Sequence, residues 1–235
     1  MSDQISIEKA KAFLDSYFAD GAAVKARPRA KTLPAVTISR EAGAGGLTVA
    51  ELLADLLQQA APRHGVAWTV FDKNLVEFVL EDLHLPTRLS SVLPESMVSG
   101  ITDAIEELFG LHPASWTMVQ KTSETILHLA TLGGVILVGR GATIVTAGLD
   151  NVFHVRLVGS PERRVERIMR RHELNRKAAL SFIVREDKGR ARYLKKHFGE
   201  EIDNPLLYHL TINTDRLDCP EAARLIAECV VKNYF

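Results

Sequence analysis

Short apolar runs alternate along most of the chain with longer segments of helical periodicity. The runs at 35–39, 67–71, 135–138, 152–158 and 210–213 are rich in β-branched and other apolar residues, which is typical of buried strands. Between most of them, apolar residues recur at spacings of three and four, which is typical of amphipathic helices. Five strands that alternate with helices predict an α/β fold, a five-stranded, mainly parallel sheet with helices on both faces.

Two segments fall outside this alternation. Residues 1–33 predict an amphipathic helix and a basic linker at 25–31, which together we expect to be an appendage of a main domain at 34–235. Residues from about 85 to 132 contain no good strand and several turn signals, so they predict a helical insertion. The apolar positions of the first helix are Ile5, Ala10, Phe13, Leu14 and Phe18.

The composition is that of an ordinary globular protein. Of 235 residues, 46% are hydrophobic and 25% are charged, which excludes collagen-like, disordered and disulfide-scaffold proteins. No run approaches the roughly 18 apolar residues of a membrane-spanning helix, and the acidic N-terminus does not fit a signal peptide. Cys219 and Cys229 stand in no metal-binding or disulfide pattern. We therefore expect a cytoplasmic protein without a membrane partner.

The charges balance overall but are unevenly distributed. Basic and acidic residues number 29 each, and this neutrality argues against a nucleic-acid partner bound by bulk electrostatics. Residues 156–196, however, contain 14 basic and five acidic residues, whereas residues 41–110 contain 11 acidic and three basic residues. A focused positive segment beside a cleft suits a small anionic ligand such as a phosphate compound.

A glycine-rich loop, SREAGAGGLT at 39–48, follows the first predicted strand. This is where parallel sheets bind ligands, and glycines let backbone N–H groups approach a phosphate beside a helix N-terminus. The P-loop pattern G-x-x-x-x-G-K-[ST] is incomplete, because Gly46 stands at the lysine position and Leu47 at the hydroxyl position. Arg40 could supply the missing charge and Thr48 the hydroxyl. Alternatively, the loop is a purely structural turn and Thr48 bonds the preceding helical turn.

Arginines recur at three- and four-residue intervals on the helix predicted to start at Pro161. Several of them share one face, namely Arg163, Arg167, Arg170 and Arg171. Phosphoryl transfer needs such groups, because its catalysis is mostly positioning and electrostatic stabilisation of spread negative charge. A solvated basic helix is the alternative.

Three further positions carry candidate binding groups. Arg140 lies between two glycines after the third strand, where it could bind a phosphate or pair with a carboxylate such as Glu41. Asp72, at the end of the second strand, is either a helix N-cap or a ligand-facing carboxylate. Asp187 with Arg190 could hold a base or ribose and a phosphate, or form a helical ion pair.

Six sequence blocks, taken in order, resemble the cytidylate kinase-like family of P-loop kinases. They are VTISREAGAGGLTVAELLADLL, WTVFDKNLVEFV, VGRGATIV, RLVGSPERRVERIMRR, REDKGRARY and LTINTDRL, and the resemblance covers about residues 35–232. It implies the three-layer P-loop NTPase fold of nucleoside monophosphate kinases. The helical insertion would then bind the monophosphate, and an arginine-rich lid would lie at about 175–200.

The resemblance also implies a role for each candidate residue. The donor phosphates of ATP would lie against Gly43, Ala44, Gly45, Gly46, Leu47 and Thr48, with Thr48 as a ligand of Mg²⁺. Catalysis would fall to Arg40, Arg167 and Arg171. The acceptor would contact Asp72, Arg140, Asp187 and Arg190, and the donor base would lie beside Asn213 and Thr214. At position 139 the authentic kinases carry an aspartate, and this chain has glycine.

Two functions remain open from the sequence. The first is transfer of the γ-phosphoryl group of ATP to a nucleoside monophosphate resembling CMP or dCMP, with Mg²⁺, which needs no general base because the attacking oxygen is already an anion. The second is a catalytically inactive nucleotide-binding or sensing module, which explains the missing lysine, hydroxyl and aspartate together. We favour the enzyme, because the resemblance spans almost the whole chain. Expected partners are small-molecule nucleotides and no nucleic acid, and the N-terminal helix is a candidate contact for a homodimer or another partner.

Overall fold

All five predicted strands are present, and they form one parallel sheet. The computed structural model describes residues 2–19, 33–60, 67–76, 95–109 and 118–235. The strands are β1 (Ala35–Arg40), β2 (Thr69–Phe71), β3 (Val135–Val138), β4 (Val152–Val158) and β5 (Leu210–Asn213), in the order β2-β3-β1-β4-β5. Each of the four strand pairings is parallel. Because β1 lies at the centre, the loop that follows it opens at the middle of the sheet edge.

Eight helices whose two ends are both described accompany the sheet within the described ranges. They are α1 (Ser2–Ala19), α2 (Gly46–Ala60), α3 (Glu95–Phe109), α4 (Met118–Leu132), α5 (Ala142–Val145), α6 (Pro161–His172), α7 (Arg176–Phe198) and α8 (Cys219–Tyr234). A further helical turn occupies 73–76, and a 3₁₀ turn spans Pro205–Leu207. None of the described helices is long and apolar enough to cross a membrane.

The helices cover both faces of the sheet, which confirms the predicted three-layer α/β fold. On one face Leu53 of α2 and Ile226 of α8 pack with Val155 of β4 in a single buried cluster. A second cluster contains Ile105 of α3 and Leu129 of α4, together with residues of β2 and β3. Burial of apolar side chains on both faces explains why the strand sequences are continuous apolar runs.

The N-terminal helix is part of this packing, contrary to the expected appendage. Ala10, Phe13 and Leu14 of α1 are buried in the same cluster as Phe71 of β2. The rings of Phe13 and Phe71 meet edge to face, with centroids 5.7 Å apart. The basic linker at 25–31 lies outside the described residues. The domain boundary at 33 and a partner contact through α1 stay predictions.

The segment predicted as an insertion contributes directly to the core. Ile126 and Leu129 of α4 are buried against the sheet, so the last part of the segment is a core helix. No strand occurs in its described parts, 95–109 and 118–132. Its remaining parts lie outside the described residues.

Candidate active site

The glycine loop between β1 and α2 has a backbone that side chains would disturb. Gly43 and Gly45 adopt left-handed conformations, with φ of 81° and 87°. A Cβ on Gly43 would lie 2.5 Å from the carbonyl oxygen of Arg164, so α6 packs directly on this glycine. The loop ends at Gly46, where α2 begins and its first N–H groups remain available to a ligand.

Two side chains from α6 and α7 hold the loop in place. Asp187 accepts a 2.7 Å hydrogen bond from the N–H of Ala42 and a 2.5 Å bond from Nη1 of Arg164. Arg164 is only 7% exposed and also donates to the carbonyl oxygens of Ala42 and Gly159, at 3.2 and 2.9 Å. This bonded set fixes the position of the loop relative to the arginine-rich helices.

Asp187, for which the resemblance implies a contact with the acceptor, is bonded to protein groups in this structure. Its two carboxylate oxygens bond Ala42, Arg164 and Arg190, and it lines neither of the cavities described below. The expected ion pair with Arg190 is present, with Nη2 2.8 Å from Oδ1. A contact of Asp187 with the acceptor stays a prediction. The neighbouring carboxylate, Glu186, is the one that lines both cavities.

A cavity of about 510 Å³ lies beside the glycine loop, and we call it the loop cavity. Its lining includes residues of the loop and three arginines from α6. These lining residues are Gly43, Gly45, Gly46, Leu47, Thr48, Arg167, Arg170 and Arg171. The cavity thus combines backbone N–H groups, a helix N-terminus and several cations, which suits a polyphosphate. Ala44 is buried in the core and does not line it.

A second cavity, of about 410 Å³, opens at the end of β3, and we call it the Arg140 cavity. Arg140 has φ of 55° between two left-handed glycines, Gly139 and Gly141, and its guanidinium lies 5.9 Å from the centre of the Tyr193 ring. Burial lowers the pKa of Arg140 and raises that of Tyr193. Lys73 and other cations complete the lining, so this cavity also suits an anionic ligand.

Three side chains line both cavities and form their shared wall, namely Arg40, Glu186 and Arg190. Burial is the main cause that lowers the pKa of Arg40 to about 10. Arg190 and Arg140 lower this pKa further, while Asp72 and Glu186 act in the opposite direction. Arg190 forms ion pairs with Glu186 and Asp187, at 3.6 and 2.8 Å. The wall is therefore a mainly cationic partition between two cavities whose linings suit anions.

Arg167 is fixed over the glycine loop by the residue expected to contact the donor base. Its Nη1 donates to Thr214 Oγ1 at 3.0 Å and to the carbonyl oxygen of Gly43 at 3.2 Å, and its Nη2 donates to the Thr214 carbonyl at 2.6 Å. Asn213 accepts a hydrogen bond from the N–H of Asp215. Neither Asn213 nor Thr214 lines the two cavities, so their contact with a donor base stays a prediction.

The sequence left two interpretations open for Asp72 and two for Thr48, and the structure bears on both residues. Asp72 Oδ1 accepts a 2.9 Å hydrogen bond from the N–H of Leu75, which confirms the N-cap interpretation, and its charge acts on Arg40. Thr48 is exposed and lines the loop cavity. In the described parts of the chain no three His, Cys, Asp or Glu residues cluster as metal ligands. The oxygen donors Thr48 and Glu186 at the loop cavity fit Mg²⁺ held mainly by phosphate oxygens and water, its usual mode in phosphoryl-transfer sites.

Reasoning from the sequence assigned no separate role to Glu186, Tyr193, Lys73 or Arg164. Arg164 looks like one more member of a basic run, and only its place beside Val165, on the buried side of α6, could have distinguished it. Glu186 and Tyr193 lie seven residues apart on α7, on one helical face, so the periodicity of that helix was the available signal.

Comparisons with known proteins identify a family for the chain and solved structures of similar fold. The sequence profile of the cytidylate kinase-like family matches residues 35–216. An uncharacterized protein from Eubacterium ventriosum has a similar fold, with a TM-score of 0.66 at 20% identity over 86% of this chain and 99% of that one. Shikimate kinase from Acinetobacter baumannii, solved with shikimate, aligns with 86% of this chain and 96% of its own, at 14% identity and a TM-score of 0.36.

One curated protein, uronate isomerase from Corynebacterium glutamicum, is 26% identical over 121 residues. The match covers 52% of this chain. The chain spans only 23% of the length of that relative, so the match concerns a part of it.

Proposed function

The chain belongs to the cytidylate kinase-like family, and on that premise we propose that it transfers the γ-phosphoryl group of ATP to a nucleoside monophosphate resembling CMP or dCMP. Family membership supports a nucleotide kinase-like role. The observation that carries the finer proposal is the shared wall, because two anion-binding cavities that meet at Arg40, Glu186 and Arg190 can present a donor and an acceptor phosphate to each other.

On the donor side, the loop cavity would hold the phosphates of ATP. Backbone N–H groups at the start of α2 would contact the phosphate oxygens, and Arg167 would lie over them. Because Thr214 and Gly43 already bond Arg167, this cation is positioned before the ligand arrives. Arg171 is exposed and would close on the phosphates from the outer side. Asn213 and Thr214 remain our candidates for the donor base.

On the acceptor side, the Arg140 cavity would hold the monophosphate. Arg140 and Lys73 would bind its phosphate, and the planar guanidinium of Arg140 can bind two oxygens at once. Arg190 would contact the same phosphate from α7. Asp72 and Asp187 remain proposed contacts of the acceptor. In addition, Asp72 acts on Arg40 and Asp187 holds Arg190.

Transfer itself would rest on electrostatic stabilisation. The acceptor phosphate oxygen is already an anion, so the reaction needs cations around the transferring group rather than a general base. Arg40, Arg167 and Arg171 would supply this charge. Mg²⁺, when bound with ATP, neutralises charge on the donor phosphates, and Thr48 and Glu186 are two side chains at the cavities that could ligate it.

The test is direct phosphoryl transfer by purified protein. Mg²⁺ and ATP are mixed with each nucleoside monophosphate in turn, and ADP and the diphosphate product are separated chromatographically. We expect both products to form together, fastest with CMP or dCMP. A parallel preparation of Arg167→Ala shows whether the activity belongs to this chain. Nucleotide binding by calorimetry without any turnover would contradict the kinase and favour the inactive sensing module.

A further inference from the structure

Two glycines on different elements pack against the same side chain, that of Arg40. A Cβ on Gly46 would lie 2.8 Å from Cγ of Arg40 and 3.2 Å from its Cδ. A Cβ on Gly139 would overlap Nη1 of the same residue and lie 3.0 Å from its Cζ. Real Cβ atoms do not tolerate such contacts, so Arg40 holds this course only while both positions are glycine. The kinases that this chain resembles carry lysine at the position of Gly46 and aspartate at the position of Gly139.

In the part of the chain that the structure describes, no bonded counterion accompanies the guanidinium of Arg40. Among the described residues it makes no hydrogen bond and no ion pair, although it lies in the wall between the cavities. The nearby charges are two cations, Arg190 and Arg140, and two carboxylates, Asp72 and Glu186. A pKa of about 10 keeps Arg40 protonated at neutral pH. A protonated guanidinium with unused N–H donors at two cavities is a binding group for anions.

We propose that Arg40 takes over the task of the missing P-loop lysine. Because Gly46 and Gly139 have no side chain, the side chain of Arg40 can pass both positions and reach the shared wall. This inference rests on the proposed function. Arg40 differs from a P-loop lysine in one respect, because a lysine reaches the β- and γ-phosphates of the donor alone. Arg40 lines both cavities, so its planar fork contacts the donor and the acceptor phosphate from opposite edges.

The test measures the binding of Mg²⁺-ATP and of CMP separately, by calorimetry, and then turnover. The variants are Arg40→Met, which keeps the length and removes the charge, Gly46→Lys, and Arg40→Ala combined with Gly46→Lys. Arg163→Met is the matched control, because Arg163 is exposed, pairs with Glu166 and lines neither cavity.

We expect Arg40→Met to weaken both ATP and CMP binding by about tenfold or more and to slow turnover by about a hundredfold to a thousandfold. Gly46→Lys alone should weaken ATP binding, because its Cβ meets Arg40. In the double variant the lysine has room, so ATP affinity should exceed that of Arg40→Ala by about tenfold while CMP affinity stays low. Arg163→Met should remain within about twofold of the wild type.

The inference is overturned if Arg40→Met keeps both affinities within about twofold, or if it weakens only one of them. Wild-type ATP affinity in Gly46→Lys would also overturn it. Circular dichroism and thermal midpoints establish that each variant is folded, and Arg40→Met decides alone if the double variant does not fold. If the wild type transfers no phosphoryl group, the proposed function fails, and the two binding measurements still decide the role of Arg40.

Discussion

Asp187 on α7 accepts a 2.7 Å hydrogen bond from the backbone N–H of Ala42 in the glycine loop. The same carboxylate accepts a 2.5 Å bond from Arg164, whose side chain is 7% exposed. The conformation of the loop therefore depends on a helix that follows it by more than a hundred residues. This carboxylate thus links the position of α7 to that of the loop.

Replacing Asp187 should damage stability as well as ligand binding. Asp187→Ala leaves the buried guanidinium of Arg164 and the N–H of Ala42 without their acceptor, so we expect the free energy of unfolding to fall by about 2–3 kcal/mol. Urea denaturation measures this loss. The control is Glu166→Ala, which breaks an exposed pair with Arg163 and should cost less than about 0.5 kcal/mol. Equal losses in the two variants would contradict the structural role of Asp187.

The sequence was sufficient for the sheet and for the place of the glycine loop at its edge. Continuous apolar runs predict buried strands. A glycine loop at the carboxyl end of β1 predicts that ligands bind at this edge of the sheet, and both inferences need only the local sequence pattern. Asp187 shows what local pattern misses. Its spacing identified Arg190 as a partner, whereas Arg164 and Ala42 are brought to it by tertiary packing. The spacing rules of a single helix do not contain such contacts.

The packing of the N-terminal helix and the shared wall could not be predicted from the sequence, for the same physical reason. The periodicity of α1 predicted a buried face, but it could not show that Phe13 would pack on Phe71 of β2. Likewise, Gly46 and Gly139 read as two lost functional groups until the course of Arg40 between them was known. In both cases the missing information is which distant element fills a given space.

Substitutions at Arg140 and at Arg170 should weaken the binding of different nucleotides. Arg140 lines only the Arg140 cavity and Arg170 only the loop cavity. Arg140→Ala should therefore weaken CMP binding by about tenfold or more and leave ATP binding within about twofold. Arg170→Ala should affect ATP binding and spare CMP, with a smaller loss because Arg170 is exposed. Calorimetric titration with each nucleotide measures both affinities, and equal losses of both in Arg140→Ala would show that the acceptor side is misassigned.

A buried histidine should give the fold a pH dependence that is separate from the active site. His154 of β4 is buried, its Nδ1 lies 2.8 Å from Thr37 Oγ1, and its ring lies 5.1 Å from that of His209. Burial, with a smaller contribution from His209, lowers the pKa of His154 from 6.5 to about 4. The neutral ring is thus favoured in the folded protein, and the unfolded chain takes up the proton first as the pH falls.

The stabilisation by neutral His154 is fully present above pH 6.5 and is lost as the pH falls from 6.5 to about 4. The loss should amount to about 3 kcal/mol, since one pKa unit corresponds to about 1.4 kcal/mol. Urea denaturation across this range measures it. His154→Gln should be less stable at pH 7 but should lose the part of the pH slope that belongs to this ring. The exposed His172 provides the control, because His172→Gln should keep the wild-type slope. An unchanged slope in His154→Gln would contradict the assignment.

Gly45 and Cys219 allow steric and backbone requirements of the glycine loop to be separated. A Cβ on Gly45 would lie 2.5 Å from Sγ of Cys219, and the φ of 87° at Gly45 is itself costly for any residue with a Cβ. Gly45→Ala should therefore destabilise the fold by about 2–4 kcal/mol, from the clash and the strain together. Adding Cys219→Ala removes the sulfur and the clash but leaves the φ unchanged. The double variant should recover only part of the loss, leaving about 1–2 kcal/mol of strain.

Gly148→Ala is the control, because it meets open space without a left-handed φ and should leave stability within about 0.5 kcal/mol of the wild type. Full recovery in the double variant would mean that the left-handed backbone at Gly45 carries no cost, and the loop could then accept side chains that this structure excludes.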